Sequence, residues 1–332
     1  MSKKNLQIIV KQFPSGWVQE SDFELTEQPL ATLLDNQVLI RNEWLSLDPY
    51  MRGRLMPGKS YAASAQVGAV MVGQAAGVVI ESNSSEYKVG DHVLSYSGWQ
   101  THFACAADQI KRIDASLVSP SAYLGVLGMP GVTAWTGLID ICAPKAGETV
   151  LVDAATGAVG SVVGQLAKSL GCRVVGVAGG ARKCEYAVQE LGFDACVDHN
   201  DPLFKDNLKA AVPNGIDCVF ENVGGAIFEH VMSLMNPFSR IALCGLVSEY
   251  NQQPYGNQQM RSILVNRIKL QGFIVSDKPQ TWPPIIDALR KKVLNAELKY
   301  RETVAHGIES TPKAFIGMLK GENFGKQLVK LD

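Results

Sequence analysis

The sequence predicts an α/β protein with two domains, one rich in β-strands and one with a doubly wound parallel sheet. The chain has 332 residues, which exceeds the roughly 250 to 300 residues at which a single hydrophobic core stops growing. Up to about residue 120, short β-type runs alternate with turn residues, as in QIIVKQF, FELTEQP and QVLIRNEWLSL. From Glu148 onward, apolar strands alternate with helical stretches. This change of pattern predicts a domain boundary between the two regions.

The second region contains apolar strand segments with a helical stretch between each and the next: TVLVDAA, RVVGVAG, ACVDH, DCVFENV, RIALCG and KLQGFIV. This alternation is typical of a parallel sheet covered by helices on both faces. After the helix PPIIDALRKKVLN, β-type runs return in KYRETVAHGIE and KQLVKL. We therefore assign residues 1–125 and 297–332 to the β-rich domain and residues 126–296 to the doubly wound domain.

The composition excludes several classes of partner. Lys and Arg total 31 and Asp and Glu total 32, so charge provides no attraction to nucleic acid or to an anionic membrane. No apolar run reaches the roughly 18 residues of a membrane span, and the N-terminal segment has no cleavage signal for export. The 7 cysteines are widely spaced, which favours reduced thiols over a disulfide framework. We expect a cytoplasmic protein that binds a small molecule.

A glycine-rich segment between the first strand and the first helix of the second domain predicts a dinucleotide site. The segment TVLVDAATGAVGSVVGQLAK carries Gly157, Gly160 and Gly164. In this context Gly157 would permit the tight turn, Gly160 would let a pyrophosphate approach the helix N-terminus, and Gly164 would bring the helix against the sheet. Free N–H groups and the helix dipole would then hold the phosphates. The alternative is that these glycines serve packing alone.

The end of the second strand indicates which nicotinamide cofactor binds. An NAD-selective site carries an acidic residue there for the ribose 2′-hydroxyl, whereas this chain has Gly179, Gly180 and Ala181, followed by Arg182 and Lys183. Small residues leave room for a 2′-phosphate and the two cations can pair with it. Cations are unfavourable at a helix N-terminus, which argues against the alternative that they are merely exposed. The sequence therefore predicts NADPH.

Several motifs together carry a resemblance to a known family. They are GVLGMPGVTAWTGLIDICAPKAGETVLVDAATGAVGSVVGQLAK, LSLDPYMRGRL, ENVGG, CGLVSEYN, LQGFIVSD and GMLKGENFGKQLVK. With them the chain resembles the prostaglandin and leukotriene reductase branch of the medium-chain dehydrogenases/reductases, which also includes plant double-bond reductases and bacterial curcumin reductase. The resemblance implies a GroES-like substrate domain and a Rossmann domain. It also implies zinc-independent, NADPH-dependent reduction of the C=C bond of a small apolar α,β-unsaturated ketone or aldehyde.

The zinc ligands of related alcohol dehydrogenases have no counterpart in this sequence. Their Gly-His-Glu element corresponds to Gly73-Gln74-Ala75-Ala76-Gly77, and their earlier Cys ligand falls in Leu47-Asp48-Pro49-Tyr50-Met51. Zinc requires Cys, His or carboxylate ligands in a closed set, and the histidines are scattered: His92, His102, His199, His230 and His306. We expect no metal site. Reduction of a conjugated double bond needs less help from a Lewis acid than alcohol oxidation does.

Two tyrosines are the candidate catalytic residues. Conjugate hydride transfer leaves negative charge on the carbonyl oxygen, so the site needs a hydrogen-bond donor there and a proton source for the α carbon. Tyr250 in CGLVSEYN follows the fifth strand of the Rossmann domain and is the first candidate, acting directly or through the nicotinamide ribose hydroxyl. Tyr50 in LSLDPYMR is the second, on the resemblance alone. Either ring could instead serve packing, and solvent could supply the proton. Many relatives carry a further tyrosine where this chain has Val265, so their substrate preference does not transfer.

The resemblance also implies a set of cofactor contacts. Asn222 has a local reason as well, because it ends a strand at the cofactor edge, although Asn-Val-Gly-Gly could equally be a plain turn. Asn323 of the tail would bridge the domains, and His199 would lie beside the adenosine. The full set is Gly157, Ala158, Val159, Gly160, Ser161, Gly179, Arg182, Lys183, His199, Asn222, Cys244, Gly245, Leu246, Ser248, Tyr250, Phe273, Ile274, Val275 and Asn323.

Two further expectations concern a lid and an interface. The loop 251–260, NQQPYGNQQM, suggests a mobile lid over an apolar pocket that Tyr255 and Met260 would line. The last strand, LQGFIVSD, is an apolar sheet edge, and in relatives this edge pairs with its symmetry mate. We therefore expect a homodimer through the Rossmann sheet edge.

Three functions remain open at this point: an enone reductase, an NADPH quinone oxidoreductase and a non-enzymatic NADPH-binding redox sensor. The DPYMR and CGLVSEYN elements favour the first over the second. A donor tyrosine at the hydride end argues against the third. The physiological substrate depends on loop conformation and is not predicted.

Overall fold

The computed structural model describes residues 4–58, 60–251, 255–256 and 259–331. The chain forms two compact units, Met1–Gly125 with Glu302–Asp332, and Val126–Arg301. The first is rich in β-strands and the second contains a parallel sheet with intervening helices. The predicted fold class is therefore confirmed. Within the described part of the chain, no helix combines the length and hydropathy needed to cross a bilayer.

The first unit is built on antiparallel strands. β1 (Lys4–Val10) pairs with β2 (Phe23–Pro29) in a separate two-stranded sheet. A seven-stranded sheet has the order β14-β15-β3-β4-β5-β7, with β6 paired to β3. Its strands are β3 (Gln37–Ser46), β4 (Ala75–Ser82), β5 (His92–Ser95), β6 (His102–Ala106), β7 (Lys111–Arg112), β14 (Glu302–His306) and β15 (Lys326–Lys330). Helices α1 (Met51–Arg54) and α9 (Thr311–Leu319) complete the unit.

Three aromatic rings form the centre of the first unit's core. Trp99 lies with its ring centroid 5.2 Å from that of Phe23 and 5.4 Å from that of Phe315, in tilted and edge-on arrangements. Aromatic pairs favour such geometries over face-to-face stacking. Phe315 comes from α9, so the tail of the chain contributes to the same core as the N-terminal strands. The predicted return of the tail to the first unit is thus explained by burial of its apolar helix face.

The second unit carries a six-stranded parallel sheet in the order β10-β9-β8-β11-β12-β13. Its strands are β8 (Thr149–Val152), β9 (Arg173–Ala178), β10 (Ala195–Asp198), β11 (Ile216–Glu221), β12 (Met235–Leu243) and β13 (Lys269–Gly272). Its helices are α2 (Met129–Trp135), which continues as a π-helix over Thr136–Cys142, α3 (Gly160–Ser169), α4 (Ala181–Gln189), α5 (Phe204–Ala211), α6 (Gly225–Met232), α7 (Met260–Asn266) and α8 (Trp282–Leu294). This order is that of a doubly wound nucleotide-binding fold.

Glycines set the spacing between α3 and the sheet. A Cβ at Gly164 of α3 would lie 1.9 Å from the ring of Phe193, and one at Gly176 of β9 would lie 3.0 Å from the same ring. Phe193 therefore fills the space between helix and strand that the two glycines leave open. Gly164 was predicted to let the helix approach the sheet, and the absence of a side chain there leaves the space that the Phe193 ring occupies.

The last strand is shorter than predicted. The sequence suggested a strand through Val275, but β13 ends at Gly272, and residues 275–277 form a 3₁₀ turn. The physical reason is its neighbour: β12 ends at Leu243, which is the register partner of Gly272, so no further strand partner is available on that side. The prediction that Phe273, Ile274 and Val275 lie within the last strand is therefore wrong. They follow its carboxyl end.

Candidate functional site

The predicted cofactor residues of the second unit lie after the carboxyl ends of its parallel strands. In doubly wound sheets this edge holds the ligand, because loops from adjacent strands meet there. Residues 157–161 follow β8, residues 179–183 follow β9 and His199 follows β10. Asn222 follows β11, residues 244–250 follow β12 and residues 273–275 follow β13. The topology thus gathers these predicted residues at one edge of one sheet.

The loop before α3 is suited to an anion. Ala154 has a left-handed backbone with φ of 44°, and the N–H of Gly157 donates to its carbonyl over 2.8 Å, which closes the turn. A Cβ at Gly160 would lie only 2.5 Å from the same carbonyl oxygen, so only glycine fits there. Val159 precedes the helix and no side chain caps the helix start. Phosphate oxygens fit such an uncapped N-terminus.

Gly179 makes room for His199 at the ends of β9 and β10. A Cβ at Gly179 would lie 2.9 Å from His199 Nε2. Next to them, Gly180 has φ of 93° and precedes α4, which begins with Ala181 and the cations Arg182 and Lys183. Burial lowers the pKa of the half-buried Lys183. Two cations and small residues fit a 2′-phosphate at this position.

The carboxylate of Asp198 lies beside Gly180. Asp198 ends β10, and its Oδ1 accepts hydrogen bonds from the backbone N–H groups of Gly180 and Asn200 at 2.8 and 2.9 Å. Although partial burial opposes ionisation, these two donors and the nearby His199 hold the pKa of Asp198 below its usual value. Its carboxylate is engaged by the backbone N–H groups of Gly180 and Asn200.

Asn222 is buried and bound to Asp153, the residue after β8. The backbone N–H of Asn222 donates to Asp153 Oδ1 over 2.7 Å, and its Nδ2 donates to the same oxygen and to the Asp153 carbonyl, each over 3.2 Å. Asn222 is therefore more than a turn residue, because its amide group ties the ends of β8 and β11 together.

Tyr250 directs its hydroxyl toward the carboxyl ends of β11 and β12. A Cβ at Gly245 would lie 3.3 Å from the Tyr250 hydroxyl oxygen and 3.3 Å from the carbonyl oxygen of Asn222. The backbone of the loop between them is fixed, since Val247 N–H donates to Asn222 O over 3.1 Å and Ser248 Oγ donates to Val223 O over 2.6 Å. Glycine at position 245 thus leaves space for a phenol at the edge where the cofactor is expected.

Phe273 packs inside the second unit. Its ring meets that of Phe220 edge-on, with centroids 6.2 Å apart, and a Cβ at Gly137 would lie 3.0 Å from it. The Phe273 side chain therefore packs between the segments that carry Gly137 and Phe220.

Half of the predicted lid, residues 252–254 and 257–258, lies outside the described residues. Of the two predicted lining residues, Tyr255 is exposed and donates from its hydroxyl to Glu229 Oε2 over 2.5 Å, and Met260, the first residue of α7, is also exposed.

In the first unit, Tyr50 immediately precedes α1. Burial and the carboxylate of Asp48 raise the pKa of the Tyr50 phenol, and the Arg54 guanidinium lies 5.7 Å from its ring centroid. The phenol therefore stays protonated and can only donate or accept a neutral hydrogen bond.

Asn323 donates from Nδ2 to the carbonyl of Gly325 over 2.7 Å.

Sequence comparisons identify the family. A model described as the N-terminal domain of oxidoreductase matches residues 6–113, and one described as zinc-binding dehydrogenase matches residues 158–291. NADPH-dependent curcumin reductase of Escherichia coli (strain K12) is 45% identical over 99% of this chain and 97% of that protein. The NADP(+)-dependent 2-alkenal reductase of Nicotiana tabacum is 38% identical over 98% of this chain and 97% of that protein. The crystal structure of CurA in complex with NADPH from Vibrio vulnificus is 43% identical, with a TM-score of 0.95 over 98% of this chain and 99% of that one.

The chain is a zinc-independent medium-chain dehydrogenase/reductase. The resemblance drawn from the sequence motifs is therefore confirmed. In this medium-chain reductase, the segment that corresponds to the zinc-ligand element of alcohol dehydrogenases is tightly packed, since Ala75 and Ala76 are fully buried. A Cβ at Gly77 would lie 2.3 Å from the Arg41 carbonyl oxygen. Among the described residues, no group of three or more His, Cys, Asp or Glu side chains could hold a metal ion.

Two features of this medium-chain reductase were missed by the sequence analysis. The first is a buried ion pair in which Lys326 Nζ lies 2.5 Å from Asp48 Oδ1 and donates to the Leu47 carbonyl over 2.8 Å. The second is a buried pair of carboxyl groups, Asp153 and Glu221, at the ends of β8 and β11. The signal for the second pair is an acidic residue at the end of an otherwise apolar strand, in LVDAA and VFENV. The partner of each acid depends on strand order, which the segments do not reveal.

Proposed function

We propose that this protein is an NADPH-dependent reductase that transfers hydride to the C=C bond of α,β-unsaturated ketones or aldehydes. The family relationship supports the reaction class, since relatives carry the names curcumin reductase and 2-alkenal reductase and one is bound to NADPH. The observation that carries the proposal is the Tyr250 hydroxyl beside Gly245, at the strand ends of a nucleotide-binding sheet. A protonated phenol at this edge is suited to a developing enolate.

The residues of the second unit divide the binding of NADPH between them. The uncapped start of α3 and the Gly157–Gly160 loop would hold the pyrophosphate. Arg182 and Lys183 would pair with the 2′-phosphate, and Gly179 leaves the space that the His199 ring occupies beside them. When bound, NADPH supplies the hydride for the β carbon of the substrate.

The tyrosines would act on the substrate. As hydride reaches the β carbon, negative charge develops on the carbonyl oxygen, and a hydroxyl that donates there lowers the barrier. Tyr250 is the proposed donor. Tyr50, whose phenol is kept protonated by burial and by Asp48, is proposed to shape the substrate pocket and to be available as a second donor. Protonation of the α carbon by tyrosine or by solvent then yields the saturated carbonyl.

A substrate panel tests this proposal. Purified protein is mixed with NADPH and, in separate assays containing a metal chelator, with an enone, an alkenal, a quinone and a saturated aldehyde. We expect oxidation of NADPH with the enone and the alkenal, and little with the others. Turnover of the quinone alone would indicate a quinone reductase. Tight NADPH binding without any turnover would indicate a non-enzymatic sensor.

We further propose a homodimer formed through the edge of the second unit's sheet. All four residues of β13 are exposed, Leu270 among them, and three apolar side chains nearby are exposed as well: Phe238, Leu264 and Val265. An open apolar edge of this kind favours pairing with a second copy. Sedimentation should give a dimer at micromolar concentration, and Leu270→Lys should shift it toward monomer. A wild-type monomer would contradict the proposal.

We also propose a cytoplasmic location. All seven cysteines are free thiols, and five of them are buried, which supports a reducing compartment. Fractionation of cells that express the tagged protein tests this, and recovery outside the cytoplasm would contradict it.

A further inference from the structure

Two buried carboxyl groups lie beneath the loops of the proposed cofactor site. Asp153 directly follows β8, and Glu221 is the last residue of β11. The two strands are parallel neighbours, with Val152 and Phe220 as register partners, so the acids occupy the next positions of adjacent strands. Both side chains are 0% exposed. Burial of two carboxyls side by side is costly unless protons and hydrogen bonds compensate their charge.

Backbone N–H groups of residues 222–224 converge on this pair. Asp153 accepts from the backbone N–H groups of Asn222 and Val223 at 2.7 and 3.1 Å. Glu221 Oε1 accepts from the backbone N–H groups of Val223 and Gly224 at 2.8 and 2.6 Å. The conformation of the 222–224 loop is therefore fixed by the two carboxyls. The same loop, through its carbonyl groups, fixes residues 247–248 ahead of Tyr250.

The hydrogen bonds indicate where the proton lies. The backbone N–H of Val223 donates to both acids, to Asp153 Oδ2 over 3.1 Å and to Glu221 Oε1 over 2.8 Å, so the two carboxyls lie side by side. Two adjacent buried carboxyls hold one proton between them, because two negative charges there would repel each other. Both oxygens of Asp153 already accept N–H groups, whereas Glu221 Oε2 accepts none from the described residues. The geometry therefore assigns the shared proton to Glu221 Oε2. Burial and the negative charge of Asp153 raise the pKa of Glu221 well above its usual range.

Other titratable groups face this region. Burial and the carboxyls of Asp153 and Glu221 raise the pKa of the Cys244 thiol to about 12. The Glu249 carboxyl lies beside Gly224, 3.0 Å from the position a Cβ would take there. Burial also lowers the pKa of Lys183, which follows the neighbouring strand β9. A test of the carboxyl pair must therefore separate its titration from that of Lys183.

We propose that the proton shared by Asp153 and Glu221 holds the 222–224 loop in the conformation that binds NADPH, so that losing this proton weakens cofactor binding. The proposal rests on the proposed function. Removal of the proton leaves two buried carboxylates that repel each other. Because both carboxyls hold the backbone of residues 222–224, this repulsion would displace that loop. It also adds a negative charge beneath a site for an anionic cofactor. Asp153 and Glu221 are positioning residues in this scheme.

The test measures the Kd for NADPH against pH, from about pH 7 to about pH 10, by quenching of tryptophan fluorescence. Above the titration of the pair, the wild-type Kd should rise by about tenfold per pH unit. Glu221→Gln keeps a neutral group that donates to Asp153 and accepts from Val223 and Gly224. It should match the wild-type Kd at neutral pH and lose this pH dependence. Glu221→Ala should bind NADPH weakly throughout.

Parallel titrations with NADH, which lacks the 2′-phosphate, remove the contribution of Lys183. Glu221→Gln should also keep the wild-type unfolding temperature at neutral pH, so that an altered pH slope of Kd reports on binding. The inference is overturned if Glu221→Gln shows the wild-type pH slope, or if Glu221→Ala binds NADPH as tightly as the wild type. A wild-type protein that binds no NADPH at any pH would contradict the proposed function and this inference together. Equal pH slopes of Kd in the wild type and in Glu221→Gln would contradict this inference and leave the proposed function standing.

Discussion

Lys326 and Asp48 form an ion pair that is almost entirely shielded from solvent, with side-chain exposures of 5% and 7%. Ser46 donates from Oγ to the other carboxylate oxygen of Asp48, so this carboxylate is held on both sides. The pair joins the last strand of the chain to the segment before Tyr50. Within the first unit, the ion pair therefore links the tail of the chain to the segment that carries Tyr50.

Lys326→Met should destabilise the protein by about 3 to 5 kcal/mol, because it leaves the Asp48 carboxylate buried without its counter-charge. Unfolding in urea, followed by circular dichroism, measures the change. Lys299→Met is the matched control, since Lys299 pairs with Glu190 at a site where both side chains are 54% exposed. The control should cost at most about 1 kcal/mol. Equal effects of the two substitutions would show that the buried pair has no special role.

The double substitution Arg182→Gln with Lys183→Gln should remove most of the preference for NADPH over NADH. Each charge-assisted hydrogen bond to the 2′-phosphate contributes about 1.5 to 3 kcal/mol, so the Kd for NADPH should rise at least about tenfold while that for NADH stays nearly constant. Lys209→Gln controls for the loss of positive charge, because Lys209 is an exposed cation in the last turn of α5, where the chain leads on to the start of β11 rather than to a strand's carboxyl end. A double variant that keeps the full preference would refute the assignment.

Tyr250→Phe should lower kcat for enones by on the order of 10²-fold if no other group replaces the donor, and by about tenfold if the ribose hydroxyl does so in part. The Kd for NADPH should hardly change, because the lost hydrogen bond forms fully only in the transition state. Tyr50→Phe is the comparison and should act mainly through KM. Wild-type kcat in Tyr250→Phe with a loss in Tyr50→Phe would exchange the two roles.

Gly164→Ala should destabilise the protein by about 1 to 3 kcal/mol, since the new methyl group would overlap the ring of Phe193 and force both to move. Gly53→Ala in helix α1 is the control, because a Cβ there meets nothing within 4 Å. Thermal unfolding of both variants measures the difference. A Gly164→Ala protein as stable as the control would mean that α3 shifts freely, and the packing account of this glycine would fail.

The same glycine shows how far the sequence carries the fold. Strand and helix alternation predicts the six parallel strands, because a strand buried on both faces requires a nearly continuous apolar run. The spacing of the glycines after β8 predicts that Gly164 brings α3 close to the sheet. The ring that fills this space, Phe193, is contributed by another part of the chain, and no local pattern identifies it. The end of β13 at Gly272 likewise depends on where β12 ends.

For the candidate site too, some residues were predicted from the sequence and others were not. The glycine pattern, the missing acidic residue after β9 and the need for a donor at the hydride end predict the phosphate loop, the cations of α4 and Tyr250, and the family resemblance adds Asn222. The topology then gathers those residues at one sheet edge. The contact between Asp153 and Glu221 could not be predicted, because it requires β8 and β11 to be neighbours, although they are separated in the sequence by two other strands. The ion pair of Lys326 with Asp48 could not be predicted for the same reason, because its two residues lie near opposite ends of the chain and meet only in the folded sheet.

The most direct test of the account follows the hydride itself. The protein is incubated with benzylideneacetone and NADPH that carries deuterium at C4 of the nicotinamide, with each stereoisomer in turn, and the product is analysed by NMR and mass spectrometry. Conjugate reduction predicts the saturated ketone, with deuterium from one stereoisomer on the carbon β to the carbonyl. An allylic alcohol with deuterium on the carbinol carbon would contradict the account.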